Sequence, residues 1–503
     1  MAMADNTISS TRRTLLQGLA GATVAAGTSA CGGGSTTSTD TRNNTPPRPD
    51  PVAVSPRGSH VPRGVHASVI DDPHTTRTLT WFTDGLNAPP SMVIFDQPPA
   101  RLSATEDAQR PFPRGTTGTV ERTFGVNAQT HRVTLRNLDP QRPVRYRVGS
   151  DQGGWSDTFW LEPLPRENWR FMHFGDHGIS HRAQRVTEEA LKHPVDLLLL
   201  AGDLSYADGN QPVWDQWFSD VEPLLASTVT MAAPGNHEAK DGGGRESGQA
   251  FKSRLTHPDP RLAVVGKNQG STFYSFRMNR VHFLVSSAGA LIEDFSLAEE
   301  LVNMEVDLAA AALARLRGEI DFIAVMQHYP IWTDQLGRSP ANFTLVALEE
   351  DILLRYGVDL LLVGHDHVYQ RSQKMAYGGN TPLGYMQVMV GTGGQSVRVF
   401  DETPQRWSAF QFIGLGLATY EVSPGKITGA FHGARPEGDE GEALQTVLEP
   451  FSVRDTFTIE RRSLAACKEC ALPPRDPDVL LRNFPMIVHH TRMRNRLALE
   501  HCG

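Results

Sequence analysis

Cysteine is scarce in this chain, with four residues in 503, at positions 31, 467, 470 and 502. Nothing between Cys31 and Cys467 can form a disulfide, so the body of the protein must hold together by burial alone. An excess of positive charge is also lacking. Lys and Arg number 48 against 56 Asp and Glu, a net charge of −8. That balance excludes a protein that coats nucleic acid by neutralising its phosphates. No long apolar run stands near the N-terminus, so a membrane span is not expected there. The uncharged stretch Leu15–Ala30 is rich in Gly and Ala, too short and too weakly apolar for a stable membrane span. What remains is 39% hydrophobic and 21% charged, a globular balance. The chain is too long for one core, so two globular domains with flexible ends are expected.

Ser9–Ser10–Thr11–Arg12–Arg13–Thr14–Leu15–Leu16 sets a twin arginine before that stretch. This is the pattern of an export signal read by the pathway that carries folded proteins. The expected location is periplasmic, cell-surface or secreted. Ser29–Ala30–Cys31–Gly32 resembles the end of a bacterial lipoprotein signal, although Thr28 stands where that pattern usually has Leu. Cys31 is therefore a candidate lipid anchor. Residues 1–31 read as signal. Residues 32–54, mostly Gly, Ser, Thr, Asn and Pro, read as a disordered linker.

Residues 55–165 alternate short strands with turns and show no helical period. Arg77–Thr83, His131–Arg136 and Val144–Gly149 have strand character, and Asn137–Pro140 turns between the last two. Such spacing predicts an all-β sandwich, and its order resembles fibronectin type III modules. Its expected role is a scaffold packed beside a second domain. From Trp169 the pattern changes. Apolar runs of strand length appear at Trp169–Phe174, Val195–Ala201, Val229–Ala233, Val281–Ser286, Phe322–Met326, Val358–Val363 and Tyr385–Val390. Helix-compatible segments at 182–192, 211–225, 297–317 and 345–356 lie between them. Continuous apolar strands interleaved with helices predict an α/β domain of buried, face-covered sheets over 166–462. Functional residues should collect at the C-terminal ends of those strands.

Five strand ends carry the chemistry: Gly175–Asp176–His177–Gly178, Gly202–Asp203–Leu204–Ser205–Tyr206, Gly235–Asn236–His237–Glu238, Val325–Met326–Gln327–His328 and Gly364–His365–Asp366–His367. A single Gly-Asp after a strand is a common turn. Five such ends in order, all bearing metal-type oxygen or imidazole donors, are not explained as turns.

These blocks resemble, in order, the motifs of the calcineurin-like metallophosphoesterases and, within them, the purple acid phosphatases. The resemblance runs from about Ser55 to Glu460. It implies an α/β catalytic domain, a two-sheet β sandwich flanked by helices, preceded by the fibronectin III-like sandwich. Two positions carry the subfamily. Gly178 stands where general metallophosphoesterases have a His, and Tyr206 adds a phenol that they usually lack. Carried over by motif, one ion would be held by Asp176, Asp203, Tyr206 and His367. The other would be held by Asp203, Asn236, His328 and His365, with Asp203 bridging. The oxygen-rich first set suits Fe(III), and the second suits a divalent Zn, Mn or Fe. His177 falls between motif positions and reads as a bystander.

His237 matches the family's histidine that hydrogen-bonds the phosphate or protonates the leaving oxygen. Arg371, in an H-x-Y-x-R tail with Tyr369, reads as a buried salt-bridge partner. The implied activity is hydrolysis of small phosphate monoesters, by in-line attack of a hydroxide held at the dinuclear centre. Alternatives on the same residues are a phosphodiesterase or nucleotide hydrolase, or a non-catalytic surface binding protein. The intact ligand set counts against the last.

One departure stands out. No histidine lies between His328 and His365, where plant-type relatives place a substrate contact, and Asp334 or Arg338 are the candidate stand-ins. Residues 463–503 fall outside the resemblance. Cys467, Cys470, His489, His490, His501 and Cys502 fit no zinc-site spacing, so this segment reads as a tail.

Overall fold

The computed structural model describes residues 60–87, 90–239, 248–258, 272–288, 297–436 and 449–462. The export signal, Cys31, the linker and the tail from 463 lie outside the described residues.

Two sheets make the α/β part. One contains the strands Ser452–Glu460, Lys426–Ala434, Leu415–Ser423, Trp169–Phe174, Leu197–Ala201 and Val229–Ala233, in that spatial order. The other runs Tyr274–Met278, Val281–Val285, Phe322–Met326, Leu360–Val363, Met386–Val390, Tyr369–Ser372 and Ser408–Phe412. Leu197–Ala201 and Phe322–Met326 are buried at every residue, as expected of parallel strands covered on both faces. The sheets meet through aromatic side chains. Phe171, stacked on Tyr420 of its own sheet at 4.2 Å, meets Phe283 of the other sheet edge-on at 5.7 Å. Each such fully buried ring contributes about 1.5–3 kcal/mol by burial.

The N-terminal region is the expected all-β sandwich, but it does not simply pack alongside. Arg63–Ser68 pairs antiparallel with Arg77–Asp84 and also parallel with Val229–Ala233, through Ala67 and Val229. The first α/β sheet therefore continues through Arg63–Ser68, Arg77–Asp84, Ala128–Leu135 and Thr119–Arg122 as one ten-stranded sheet. The facing sheet runs Arg114–Thr117, Met92–Asp96, Val144–Ser150 and Gly154–Trp155. Between them lie Val65, Leu79, Trp81, Val93 and Tyr146, all buried. The seam is polar as well as apolar: Tyr146 Oη donates to the Ala226 carbonyl at 2.6 Å, and Val65 N–H to Glu222 at 2.9 Å.

Helices lie at His181–Ala190, Pro212–Leu225 and Leu297–Leu316, close to the expected segments. Ser180 caps the first, its Oγ accepting the Ala183 N–H at 3.2 Å. The single helix expected over 345–356 is two short ones, Phe343–Leu348 and Glu350–Arg355, divided at the fully buried Glu349. Apolar periodicity runs on across such a break and does not reveal it. Among the described residues no helix is long and apolar enough to cross a membrane.

Candidate metal centre

The five blocks follow strands from both sheets. Trp169–Phe174, Leu197–Ala201 and Val229–Ala233 lead into Asp176, Asp203 with Tyr206, and Asn236 with His237. Phe322–Met326 and Leu360–Val363, parallel neighbours in the second sheet, lead into His328 and into His365 with His367. The loops cross-brace one another. Asp176 N–H donates to the Gly202 carbonyl, His177 N–H to that of Asp203, and Gly364 N–H to that of His328, at 3.0–3.1 Å.

Close interlocking explains the glycines. A Cβ on Gly235 would lie 2.2 Å from Asp203 Oδ1, and one on Gly364 would lie 2.5 Å from Asp176 Oδ2. The backbone is also held in an unusual state. Asp176, Asp203, Tyr206, Asp208 and His365 have φ of 58°, 53°, 55°, 47° and 72°, five of the ten non-glycine residues described with positive φ. Each costs about 1–3 kcal/mol and persists only where the surroundings enforce it.

The loops bring the expected residues together in two groups. In the first, Asp176 Oδ1 accepts from Tyr206 Oη at 3.1 Å, and His367 Nε2 lies 3.2 Å from that phenol and 3.5 Å from Asp176 Oδ1. In the second, His328 Nε2 lies 3.1 Å from both Asp203 Oδ2 and Asn236 Oδ1, and 3.2 Å from His365 Nδ1. Asp203, His328 and His365 have ligand atoms close enough together to hold one ion.

Outer partners set the tautomers. His328 Nδ1 donates to the Ala201 carbonyl at 2.8 Å, and His367 Nδ1 to that of Ser396 at 2.9 Å. Both Nε2 lone pairs are thereby turned inward, as a metal requires. In the second group acceptor atoms thus face acceptor atoms, an arrangement that needs positive charge at its centre.

Protonation equilibria say the same. Burial would depress the His328 imidazolium, yet Asp203 and Asp176 raise it to about 10. Burial, then the charges of His328 and Arg338, push His365 down to about 2. Burial would raise Asp203, but His328 and His237 hold it below the usual carboxylate range. Burial and the Asp176 and Asp203 carboxylates push the Tyr206 phenol well up, so only a strongly charged ion at this position would ionise it. The donor set fits two metal ions.

His237 sits at the edge. Its Nδ1 lies 2.7 Å from Asp208 Oδ1, its Nε2 lies 3.8 Å from Asp203 Oδ2, and its ring packs on Tyr206 at 4.2 Å. His177 turns away into the helix layer. Its Nε2 meets Ala183 O and Thr187 Oγ1, and Trp217 Nε1 donates to its Nδ1. Arg371 forks onto Asp455 at 2.6 and 3.0 Å, as the salt-bridge partner expected of it. A Cβ on Gly178 would lie 2.3 Å from Gln395 Nε2 and 3.5 Å from Tyr206 Cδ2. The phenol side chain and Gln395 occupy the space that a side chain at 178 would take.

Two supporting residues carry weaker signals in the sequence. Buried Glu238 accepts the N–H groups of Asp203 at 2.8 Å, Leu204 at 2.9 Å and Gly235 at 2.7 Å. It was visible as an acid directly after the Asn-His pair. Asp208, the partner of His237, carried no signal beyond a turn-forming Asp-Gly.

Comparison with known proteins agrees with this geometry. Residues 170–369 match the calcineurin-like phosphoesterase family, the class that the two-sheet fold and clustered donors define. Residues 62–162 match the purple acid phosphatase N-terminal domain. The chain belongs to the purple acid phosphatase family and is an acid-phosphatase-like hydrolase of the metallophosphoesterase class.

It is 26% identical to Purple acid phosphatase 21 of Arabidopsis thaliana over 352 residues, 69% of this chain and 75% of that protein. It is 29% identical to human Acid phosphatase type 7 over 335 residues, 59% of this chain and 71% of that protein. The structure of purple acid phosphatase PPD1 from yellow lupin seeds shares the fold. The TM-score is 0.65 at 19% identity, covering 82% of this chain and 77% of that one.

Proposed function

We propose that this protein is an exported hydrolase of phosphate monoesters working at a dinuclear centre of Fe(III) and a divalent ion. The observation that carries this is the convergence of acceptor atoms from five strand ends on the two groups described above. Asp176, Asp203, Tyr206 and His367 would hold the trivalent ion. Asp203, Asn236, His328 and His365 would hold the divalent one. When bound, the ions supply charge that clamps phosphate oxygens and Lewis acidity that makes water nucleophilic near neutral pH.

The chain's own residues do the rest. Asp208 accepts the Nδ1–H of His237, which orients Nε2 toward the centre. From Nε2 a proton passes to the leaving oxygen as the ester bond breaks. The positive-φ loops, braced by Glu238, keep the ligands in place before substrate arrives.

Metal analysis with a visible spectrum tests the centre. Iron and a phenolate charge-transfer band are expected, and a colourless Fe(III) form would overturn the assignment. Paired assays on mono- and diester chromogenic substrates test the ester, and faster diester turnover would move the function to a phosphodiesterase. Export rests on Arg12–Arg13 alone. Replacing both by Lys should retain the protein in the cytoplasm on fractionation, and unaltered export would remove that part.

A further inference from the structure

The loop after His328 closes on itself and leans on the centre. Asn342 N–H donates to the Ile331 carbonyl at 2.7 Å, Thr333 N–H to that of Pro340 at 3.1 Å, and Trp332 bridges to Ala341. Its tip is anchored. Gln335 Oε1 accepts the His367 N–H at 3.2 Å, and Leu336 N–H donates to the Val399 carbonyl at 2.9 Å. Asp334, one of the two residues considered for substrate contact, is taken. It is buried, and its Oδ2 accepts the side-chain amides of Gln370 and Gln411 at 2.8 Å each.

Arg338 is different. Gly337, at φ 79°, turns the tip, and the Arg338 Nε lies 3.0 Å from Oδ1 of Asp366, the residue between ligands His365 and His367. That contact is an ion pair without the alignment of a hydrogen bond. The terminal nitrogens of Arg338 make no hydrogen bond to any described residue, and its side chain is 38% exposed. Its charge reaches both His365 and Tyr329, whose ring stands edge-on to His365 at 4.6 Å. Two positions earlier, Leu336 offers 57% exposed apolar surface.

We propose that Arg338 receives a second anionic group of the substrate, carried on the leaving group beyond the scissile phosphate. The substrate class is phosphate compounds whose leaving group bears a further phosphate or carboxylate. The inference rests on the hydrolase assignment above. A guanidinium fork with both terminal nitrogens unengaged matches either anion in bidentate geometry. It also offsets the repulsion that Asp366 would exert on such a group. Asp366 holds the fork from behind, and Leu336 gives the organic part of the leaving group a surface to lie on.

The test compares three substrates on the metal-loaded full chain: p-nitrophenyl phosphate, whose leaving group has no second anion, a nucleoside diphosphate, and phosphoglycerate. Turnover of p-nitrophenyl phosphate by the unaltered chain separates failure of the hydrolase assignment from failure of this inference. Arg338→Ala should lower kcat/KM for one or both of the other two by about 10- to 100-fold more than for p-nitrophenyl phosphate. Loss on the diphosphate alone identifies the group as phosphate, and loss on phosphoglycerate alone identifies it as carboxylate. Arg338→Gln, which keeps a polar contact for Asp366 without the charge, should repeat the pattern. Equal loss on all three substrates in both variants would make Arg338 a support for Asp366 only, and overturn the proposal. So would no loss on any.

Discussion

Glu238→Gln is the substitution most exposed to refutation, because the structure specifies what it removes. The carboxylate is 1% exposed and accepts three backbone N–H groups, Asp203 and Gly235 at Oε2 and Leu204 at Oε1. These tie the loop carrying Asp203 to the loop carrying Asn236. A glutamine amide has one oxygen. Turned toward Asp203 and Gly235, it keeps two hydrogen bonds and points its NH₂ at the Leu204 N–H, donor against donor. One charge-assisted bond is lost, worth about 1.5–3 kcal/mol, and two fall to neutral strength, about 1 kcal/mol each. Counting about 1 kcal/mol lost at each weakened bond, the sum is about 3.5–5 kcal/mol. It should divide between folding stability and the positioning of Asp203 and Asn236. The assay is thermal unfolding at one scan rate, with and without metal, together with metal content after dialysis. The variant should unfold several degrees lower when metal-free and should retain less metal in both sites. A metal-free transition within about 1 °C of the unaltered chain, with full metal content, would refute the role given to Glu238.

Three further outcomes are expected. Tyr206→Phe should abolish the visible absorption band while leaving the far-ultraviolet circular dichroism unchanged, and a surviving band would mean that Tyr206 is not a ligand. His237→Ala should cost about 10²–10⁴ in kcat on esters with poor alkyl leaving groups, and less on p-nitrophenyl phosphate. A loss independent of leaving group would assign His237 to phosphate binding instead.

The third concerns Glu349. Burial, and beyond it the neighbouring Glu300 and Glu350, push this carboxyl up to about 8. The folded state then keeps a proton that the unfolded chain releases near the ordinary glutamate value. Stability should therefore fall as pH rises through that window toward 8. Glu349→Gln should flatten this slope in chemical denaturation, and an unchanged slope would show that another group is responsible.

Much of this site was legible because its chemistry is local. A tight turn after a buried strand, followed by a carboxylate, amide, phenol or imidazole, is a feature of four or five consecutive residues. The strand itself is recognisable from a continuous apolar run such as Leu197–Ala201. Five such words in order carried the family resemblance that implies Asp176, Asp203, Tyr206, Asn236, His328, His365 and His367 as ligands. The structure brings their polar atoms within about 3–4 Å of one another in two groups. Composition and the missing body cysteines likewise settled that burial, with no covalent staple, holds the core.

What the order of residues could not disclose depends on contacts between distant segments. The joining of the N-terminal sandwich to the α/β sheet turns on Ala67 meeting Val229, a pairing with no local signature. Glu238, Asp208 and Asp366 act through the backbone or side chain of another loop, so an acid in sequence looked like any other polar turn residue. Asp334 and Arg338 are four residues apart on one loop and looked equivalent. Three-dimensional packing buried one against Gln370 and Gln411 and left the other beside Asp366 at the rim. Local residue types thus determined which atoms could bind metal. Only the closure of five loops from two sheets decided which of the remaining polar groups support that centre, which lie at its rim, and which are merely buried.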